Sequence, residues 1–255
     1  IQRCKQDKSH TKKETSKYLS RQGGISCQCC KKRKQTIMSM EAMILAAGKG
    51  SRLRPLTDNR PKALVEIAGQ TLLDRNIRKM ISFGIKHIVI NTHYLGEQIH
   101  KYVKQKNNNA DIYFSDETEC LLDTGGGLLA TEKYFTKTAP ILLHNVDIIS
   151  NIDFKNGENE LKKQNALSLI CVSERKSSRH LLFDATHNLC GRDNENNNTS
   201  TVIENRSPKY KYAFSGIHFI DPQIFNYFTM NGSFSIIDQY LEIAKRQQIL
   251  PYLHE

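Results

Sequence analysis

The chain has 255 residues, of which 38% are hydrophobic and 25% charged, and a net charge of +11 at pH 7; that is room for one large α/β domain on a modest apolar core. Eleven of the basic residues and two acidic ones fall in residues 1–40, which carry +9, so the remaining 215 residues carry only +2. The folded part therefore lacks the clustered cations of a nucleic-acid groove, and without a run of 18 apolar residues or an apolar signal segment the sequence predicts no membrane partner and a cytoplasmic protein.

Residues 1–39 have no sustained apolar periodicity, and they are expected to be a disordered basic leader whose Lys31-Lys32-Arg33-Lys34 run is solvated. The chain opens on Ile1, with Met38 and Met40 just before the first apolar run, so translation is expected to start at one of these and the leader is not necessarily native. Seven cysteines, an odd number in a chain with no export signal, favour free thiols. Cys27, Cys29 and Cys30 crowd together without a second ligand pair at zinc spacing.

From Met40 onward short apolar runs alternate with helical periods, which predicts a domain over residues 40–255. Strands are expected over 42–47, 87–91, 111–115 and 140–145, and helices over 71–83, 97–106 and 128–135. Repeated β-α units of this kind give a mostly parallel sheet with helices on both faces. The second half is expected to add strands over 166–172, 181–184 and 213–220, a turn over 194–198, and a last helix over 235–247 capped by Ser233 or Ser235, so that the sheet becomes mixed.

The chemistry is densest after the first strand, where Gly48-Lys49-Gly50-Ser51-Arg52-Leu53 is followed by Pro55-Leu56-Thr57 and Pro61-Lys62-Ala63-Leu64. A P-loop would need glycine where Met43 stands and a hydroxyl where Gly50 stands. A dinucleotide fingerprint would need a helix where Pro55 and Pro61 interrupt one. What remains is a loop whose glycines let backbone N–H groups approach an anion, with Lys49, Arg52, Arg54 and Lys62 to neutralise it.

Further clusters follow. Asp123-Thr124-Gly125-Gly126-Gly127 precedes the helix expected from Leu128, a place where a flat base could lie against bare backbone with N–H donors free. Asn145-Val146-Asp147 ends a buried strand at the edge where open α/β sheets bind ligands, and Asp147 is the candidate metal ligand. One carboxylate can anchor magnesium when phosphates and water supply the other oxygens. Phe214-Ser215-Gly216-Ile217 lies on a predicted strand.

In order and spacing, Gly-x-Gly-x-Arg-Leu, Pro-Leu-Thr and Pro-Lys-x-Leu resemble the opening motif of the sugar-1-phosphate nucleotidylyltransferases, and the chain is similar to the N-acetylmuramate-1-phosphate uridylyltransferases and mannose-1-phosphate guanylyltransferases among them. The resemblance implies a Rossmann-like fold, a nucleoside triphosphate and a sugar 1-phosphate as partners, and Mg2+ as cofactor. It implies catalytic roles for Arg52, Lys62 and Asp147, and nucleotide contacts for Ala46, Ala47, Gly48, Lys49, Gly50, Thr124, Gly125, Gly126 and Asn145. It further implies sugar contacts for Gly127, Ser215, Gly216 and Glu204, although Asn205-Arg206 replaces the family's Lys-Pro after that glutamate and Val146 replaces a glycine before Asp147.

Family members continue to an Asp-Val/Ile-Gly motif with a second metal-binding carboxylate, so the carboxyl end is expected to be cut short at Glu255. UTP with N-acetylmuramate 1-phosphate or another hexose 1-phosphate is the first expectation, and GTP with mannose 1-phosphate the second. The alternatives are a non-catalytic nucleotide-sugar binding or regulatory module on the same fold, a polyanion-binding protein acting through the leader, and a glycosyltransferase using Asn145-Val146-Asp147 as its metal motif.

Overall fold

The computed structural model describes residues 40–106 and 109–255. The basic leader and its three crowded cysteines lie outside the described residues. β1 (Glu41–Leu45) leads into a long loop with 3-10 turns at Ser51–Leu53 and Lys62–Leu64, then a short hairpin of β2 (Glu66–Ile67) and β3 (Gln70–Thr71). The β-α repeat continues through α1 (Leu72–Ser82), β4 (His87–Thr92), α2 (Gly96–Gln105), β5 (Asp111–Asp116), α3 (Asp123–Ala130) and β6 (Ile141–Asn145). After α4 (Phe154–Gln164) come β7 (Ser168–Ser173), β8 (Arg179–Phe183), β9 (Leu189–Asn194), β10 (Thr199–Val202), β11 (Tyr210–Ile220), α5 (Ile236–Ala244) and β12 (Ile249–Leu253).

The main sheet runs β10-β9-β8-β11-β6-β1-β4-β5, with β7 on the other edge of β11 and β12 on β7. β6, β1, β4 and β5 are mutually parallel, and β8 to β11 form the antiparallel half. β11 joins the halves: its first residues pair with β8 and its last with β6, across an irregularity at Gly216, where φ is +75°. This is the mixed α/β sheet that the alternation predicts. No helix among the described residues is long and apolar enough to cross a membrane.

Strand alternation divides the core between the faces. Ala42, Ile44, Ile88, Ile90 and Leu142 pack under α1, α2 and α4, while Met43, Val89, Ile141 and Leu143 pack under α3 and α5. Helices therefore cover both faces. α1 starts where Thr71 Oγ1 accepts from Asp74 N at 3.1 Å and buries Leu72, Leu73, Ile77 and Met80. It stops at Gly84, with φ +85°, where Gly84 N and Ile85 N donate back to Ile81 O and Met80 O at 2.8 and 3.1 Å. That closure needs a left-handed residue, which glycine supplies at least steric cost.

Two expectations are corrected. The helix read from Leu128 begins at Asp123, so the three glycines are inside its first turns rather than before it. It also ends at Ala130, and Glu132–Tyr134 is a separate 3-10 turn. The sequence expectations do not include the β2-β3 hairpin, α4, β9, β10 or β12. α4 has just Phe154 and Leu161 as buried apolar side chains, and its middle is Gly157, where a Cβ would stand 2.0 Å from the Phe219 ring. A bulky core ring thus takes the place of a helical apolar residue. Its start is nevertheless well capped, by Asp153 Oδ1 accepting from Lys155 N and Asn156 N at 2.9 and 3.1 Å.

Candidate active site

The carboxyl ends of β1, β4, β5 and β6 open on one cavity of about 430 Å3, lined by Leu45, Ala47, Gly48, Arg52, Lys62, Asn91, Glu117, Leu121, Asp123, Thr124, Asn145, Val146, Asp147 and Ser233. The volume is within the range of small-ligand sites. Leaving β1, the chain is held by Ala46 N, which donates to Asn91 Oδ1 at 2.7 Å. Gly50 adopts φ +64°, and a Cβ there would lie 2.9 Å from Thr57 Cγ2 and 3.1 Å from Lys62 Cβ. Thr57 Oγ1 closes the loop by donating to Gly50 O at 2.8 Å. The glycine is thus what lets the loop fold back on Lys62, whose turn is anchored by buried Ala63 and Leu64.

The Lys62 ammonium bonds Oδ2 of Asp147. Asp147 follows β6 on a backbone fixed from two sides: Val146 N donates to Leu45 O at 3.2 Å, and Val146 O accepts from Asn76 Nδ2 of α1 at 2.8 Å. Three residues on, Lys79 of the same helix donates to Ser150 O at 2.6 Å. Burial lowers the Lys79 pKa below the usual lysine range. On the core side His144 is buried and its pKa is pushed down to about 4 by desolvation, so it is neutral at pH 7. Its Nδ1 must then carry the proton it shares with Asn145 O at 2.8 Å, since a carbonyl only accepts.

On the opposite wall, Glu117 is almost fully buried, and its carboxylate accepts from Asn91 Nδ2 at 2.7 Å and from Leu122 N at 3.0 Å. This ties β4 and the segment after β5 to the start of α3. The glycines of α3 differ from expectation. Gly125, Gly126 and Gly127 are buried, and Gly125 N and Gly126 N are not free donors, because both point to Phe234 O at 2.9 and 3.3 Å. Only Asp123 and Thr124 of this helix line the cavity.

Of the predicted site residues, Ala47, Gly48, Arg52, Lys62, Thr124, Asn145 and Asp147 are brought together. Ala46 and Gly50 support the loop, and Lys49 is exposed outside the cavity wall. Ser215 lines a neighbouring cavity of about 930 Å3 with Ile148, Ser150, Arg175 and His254. There its hydroxyl shares a hydrogen bond with His254 Nε2 at 2.8 Å. Gly216 abuts the first cavity, since a Cβ on it would lie 3.0 Å from Asn145 Nδ2. Glu204 is not brought to either: it lines a separate cavity with Arg206, Asp238 and Lys245, after β10 at the far edge of the sheet.

Asn91, Glu117, Leu121 and Ser233 were missed, and Asp123, the first residue of the quoted glycine cluster, was assigned no role. The signal for Asn91 and Glu117 was the one that singled out Asp147, a polar residue at or just past the carboxyl end of a parallel strand. Asp147 suits magnesium as a shared anchor rather than a cage, since it is one partly exposed carboxylate already balanced by Lys62. The described residues that cluster like a metal-ligand set are His180, Asp193 and Glu195, elsewhere on the sheet, and there Lys211 Nζ already bonds both carboxylates at 2.8 and 2.9 Å.

A family model described as nucleotidyl transferase matches residues 41–184. N-acetylmuramate alpha-1-phosphate uridylyltransferase of Caulobacter vibrioides is 36% identical over 111 residues, 42% of this chain and 46% of that protein. Mannose-1-phosphate guanylyltransferase catalytic subunit beta of Drosophila melanogaster is 34% identical over 116 residues, 45% of this chain and 31% of that protein. The chain spans about half the length of the uridylyltransferases it matches, 46% and 50%. Among solved structures, a UDP-glucose pyrophosphorylase complexed with UDP-glucose matches with TM-score 0.65 at 17% identity, over 84% of this chain and 90% of that one. The inositol-1-phosphate CTP transferase of T. maritima matches with TM-score 0.62 at 15% identity, over 85% and 86%. Such structural matches speak for the fold alone. The family model, by contrast, spans more than half of the sequence, and the chain belongs to the nucleotidyl transferase family.

Proposed function

We propose that residues 40–255 form the catalytic domain of a sugar-1-phosphate nucleotidylyltransferase. A phosphate oxygen of the sugar 1-phosphate attacks the α-phosphorus of a nucleoside triphosphate, the bond from that phosphorus to the bridging oxygen breaks, and pyrophosphate leaves. The observation that carries this reading is the meeting of Arg52, Lys62 and Asp147 on one cavity with Gly48 and Thr124. A phosphate monoester is largely dianionic at pH 7, so the nucleophile needs no general base. The work left for the protein is to hold two anions in line and neutralise the charge that develops.

In this reading Gly48 leaves the loop backbone open to the triphosphate, and Arg52 and Lys62 balance its charge. Lys62 exchanges its bond to Asp147 for one to a phosphate oxygen. Magnesium, held by Asp147 and phosphate oxygens, would supply further neutralisation at the reacting phosphates. Asn145 and Thr124 orient the nucleotide, and the sugar end lies toward Ser215 and Gly216, beside the larger cavity. UTP with N-acetylmuramate 1-phosphate or another hexose 1-phosphate is the first choice, supported by the name of the Caulobacter relative; GTP with mannose 1-phosphate is the second, supported by that of the Drosophila one.

The test is a panel of triphosphates and sugar 1-phosphates scored by pyrophosphate release. One pair should stand out, and its product should carry both the nucleoside and the sugar. Release without a nucleotide-sugar product, or no release from any pair with a protein that binds triphosphate, would refute the transfer reaction.

A further inference from the structure

The buried glycines of α3 hold something in place, and what they hold reaches the cavity. Residues 232–236 lie against the first turns of α3 through four backbone donors. Gly125 N and Gly126 N donate to Phe234 O at 2.9 and 3.3 Å, Phe234 N donates to Leu122 O at 3.2 Å, and Ile236 N donates to Thr124 Oγ1 at 2.9 Å. The fit leaves no space for side chains on the helix. A Cβ on Gly126 would lie 2.1 Å from Gly232 O, and one on Gly125 2.4 Å from the Phe234 ring. Gly125 and Gly126 are the seat for this strap, which turns at Gly232, where φ is +75°, whereas a Cβ on Gly127 would meet Glu117 and Asn91 instead.

Ser233 is the strap residue that lines the 430 Å3 cavity, and it is exposed. It comes from outside the residues matched by the family model, 41–184. The neighbouring groups define what this wall can recognise. Glu117 only accepts, and both its oxygens already hold protein donors. Thr124 Oγ1 already accepts from Ile236 N, which leaves its hydrogen to donate. Leu121 adds apolar surface, and the cations Arg52 and Lys62 belong to the glycine loop. A hydroxyl that both donates and accepts, beside an apolar side chain, suits the polar edge of a flat heterocycle better than a phosphate.

We propose that Ser233 is a specificity-determining residue that bonds the edge of the nucleobase, delivered to the cavity by the strap seated on Gly125 and Gly126. This rests on reading the cavity as the nucleotide site. The loop side then takes the phosphates common to all triphosphates, and the strap side takes the part in which they differ.

The test is calorimetric binding of ATP, CTP, GTP, UTP and inorganic pyrophosphate to the full chain and to Ser233→Ala. Loss of one hydrogen bond should weaken the preferred triphosphate about tenfold and flatten the ranking of the four, while pyrophosphate affinity stays the same. Gly126→Ala, if it folds, should flatten the ranking equally by unseating the strap. An unchanged ranking in Ser233→Ala, or an equal loss for pyrophosphate and triphosphates, would overturn the proposal. A wild-type chain that binds none of the five refutes the reading of the cavity itself, which is a different failure.

Discussion

Lys62 and Asp147 form an ion pair on the wall of the candidate site, and their side chains keep 18% and 35% of their surface exposed. At that exposure water screens the pair, and its contribution to stability is at most about 1 kcal/mol. Its value is in function. Lys62→Ala should therefore lower turnover by at least about tenfold, about 1.4 kcal/mol of transition-state stabilisation, with almost no change in melting temperature. Steady-state pyrophosphate release beside a thermal melt checks both halves, and normal turnover would remove Lys62 from the reaction.

Asp147→Ala should abolish the magnesium dependence of triphosphate binding. One carboxylate is a poor cage for an ion that dehydrates reluctantly, so magnesium without nucleotide should bind weakly even to the wild type. Titration of triphosphate with and without magnesium, on wild type and variant, measures this. A dependence that survives in the variant would assign the ion to other groups.

Asn76→Ala tests how Asp147 is held. Asn76 and Val146 are 4% and 3% exposed, so the substitution strands a buried carbonyl, at a cost of about 1–3 kcal/mol. The melting temperature should fall by several degrees, and half-saturation with magnesium should shift upward as the strand end loosens. A melt that falls with magnesium half-saturation unchanged would make Asn76 structural only.

The pH dependence of stability should carry the signature of a buried histidine. His218 is fully buried with Nδ1 unpartnered among the described residues, and desolvation, with a smaller effect of His144, lowers its pKa from 6.5 to about 3. The folded state then binds fewer protons than the unfolded chain between these values. Its stabilising effect is complete above pH 6.5 and is lost as pH falls toward 3, by roughly 2–3 kcal/mol at pH 4.5. His218→Phe should melt with a shallower acid dependence over this window, and equal slopes would assign the acid sensitivity to other groups.

The parallel half and its ligand edge were legible because strands rich in isoleucine, valine and leucine alternate with helices that carry caps and stops, as in Thr71 through Gly84. Lys62 and Asp147 were legible for a different reason, the spacing of glycines, prolines and a strand-ending acid. The strap was not: Phe234 O accepts from two glycine N–H groups, and backbone bonds of this kind leave no trace in residue type. The triple glycine was misread in consequence, as open ground for a base, whereas Gly125 and Gly126 seat residues 232–236 and Gly127 lies against Glu117 and Asn91. Asn91 near the end of β4 and Glu117 just past β5 carry the same mark in the sequence as Asp147 past β6, a polar residue at the carboxyl end of a parallel strand.

β11 gives hydrogen bonds to β8 along its first residues and to β6 along its last, with Gly216 between them and beside Asn145. The antiparallel strands therefore have no private exit: peeling them away pulls on the same strand whose bend borders the cavity. Amide protons of β8 and β6 should exchange with solvent through one shared opening rather than two, so ligand bound at Asn145 will slow exchange as far away as β8.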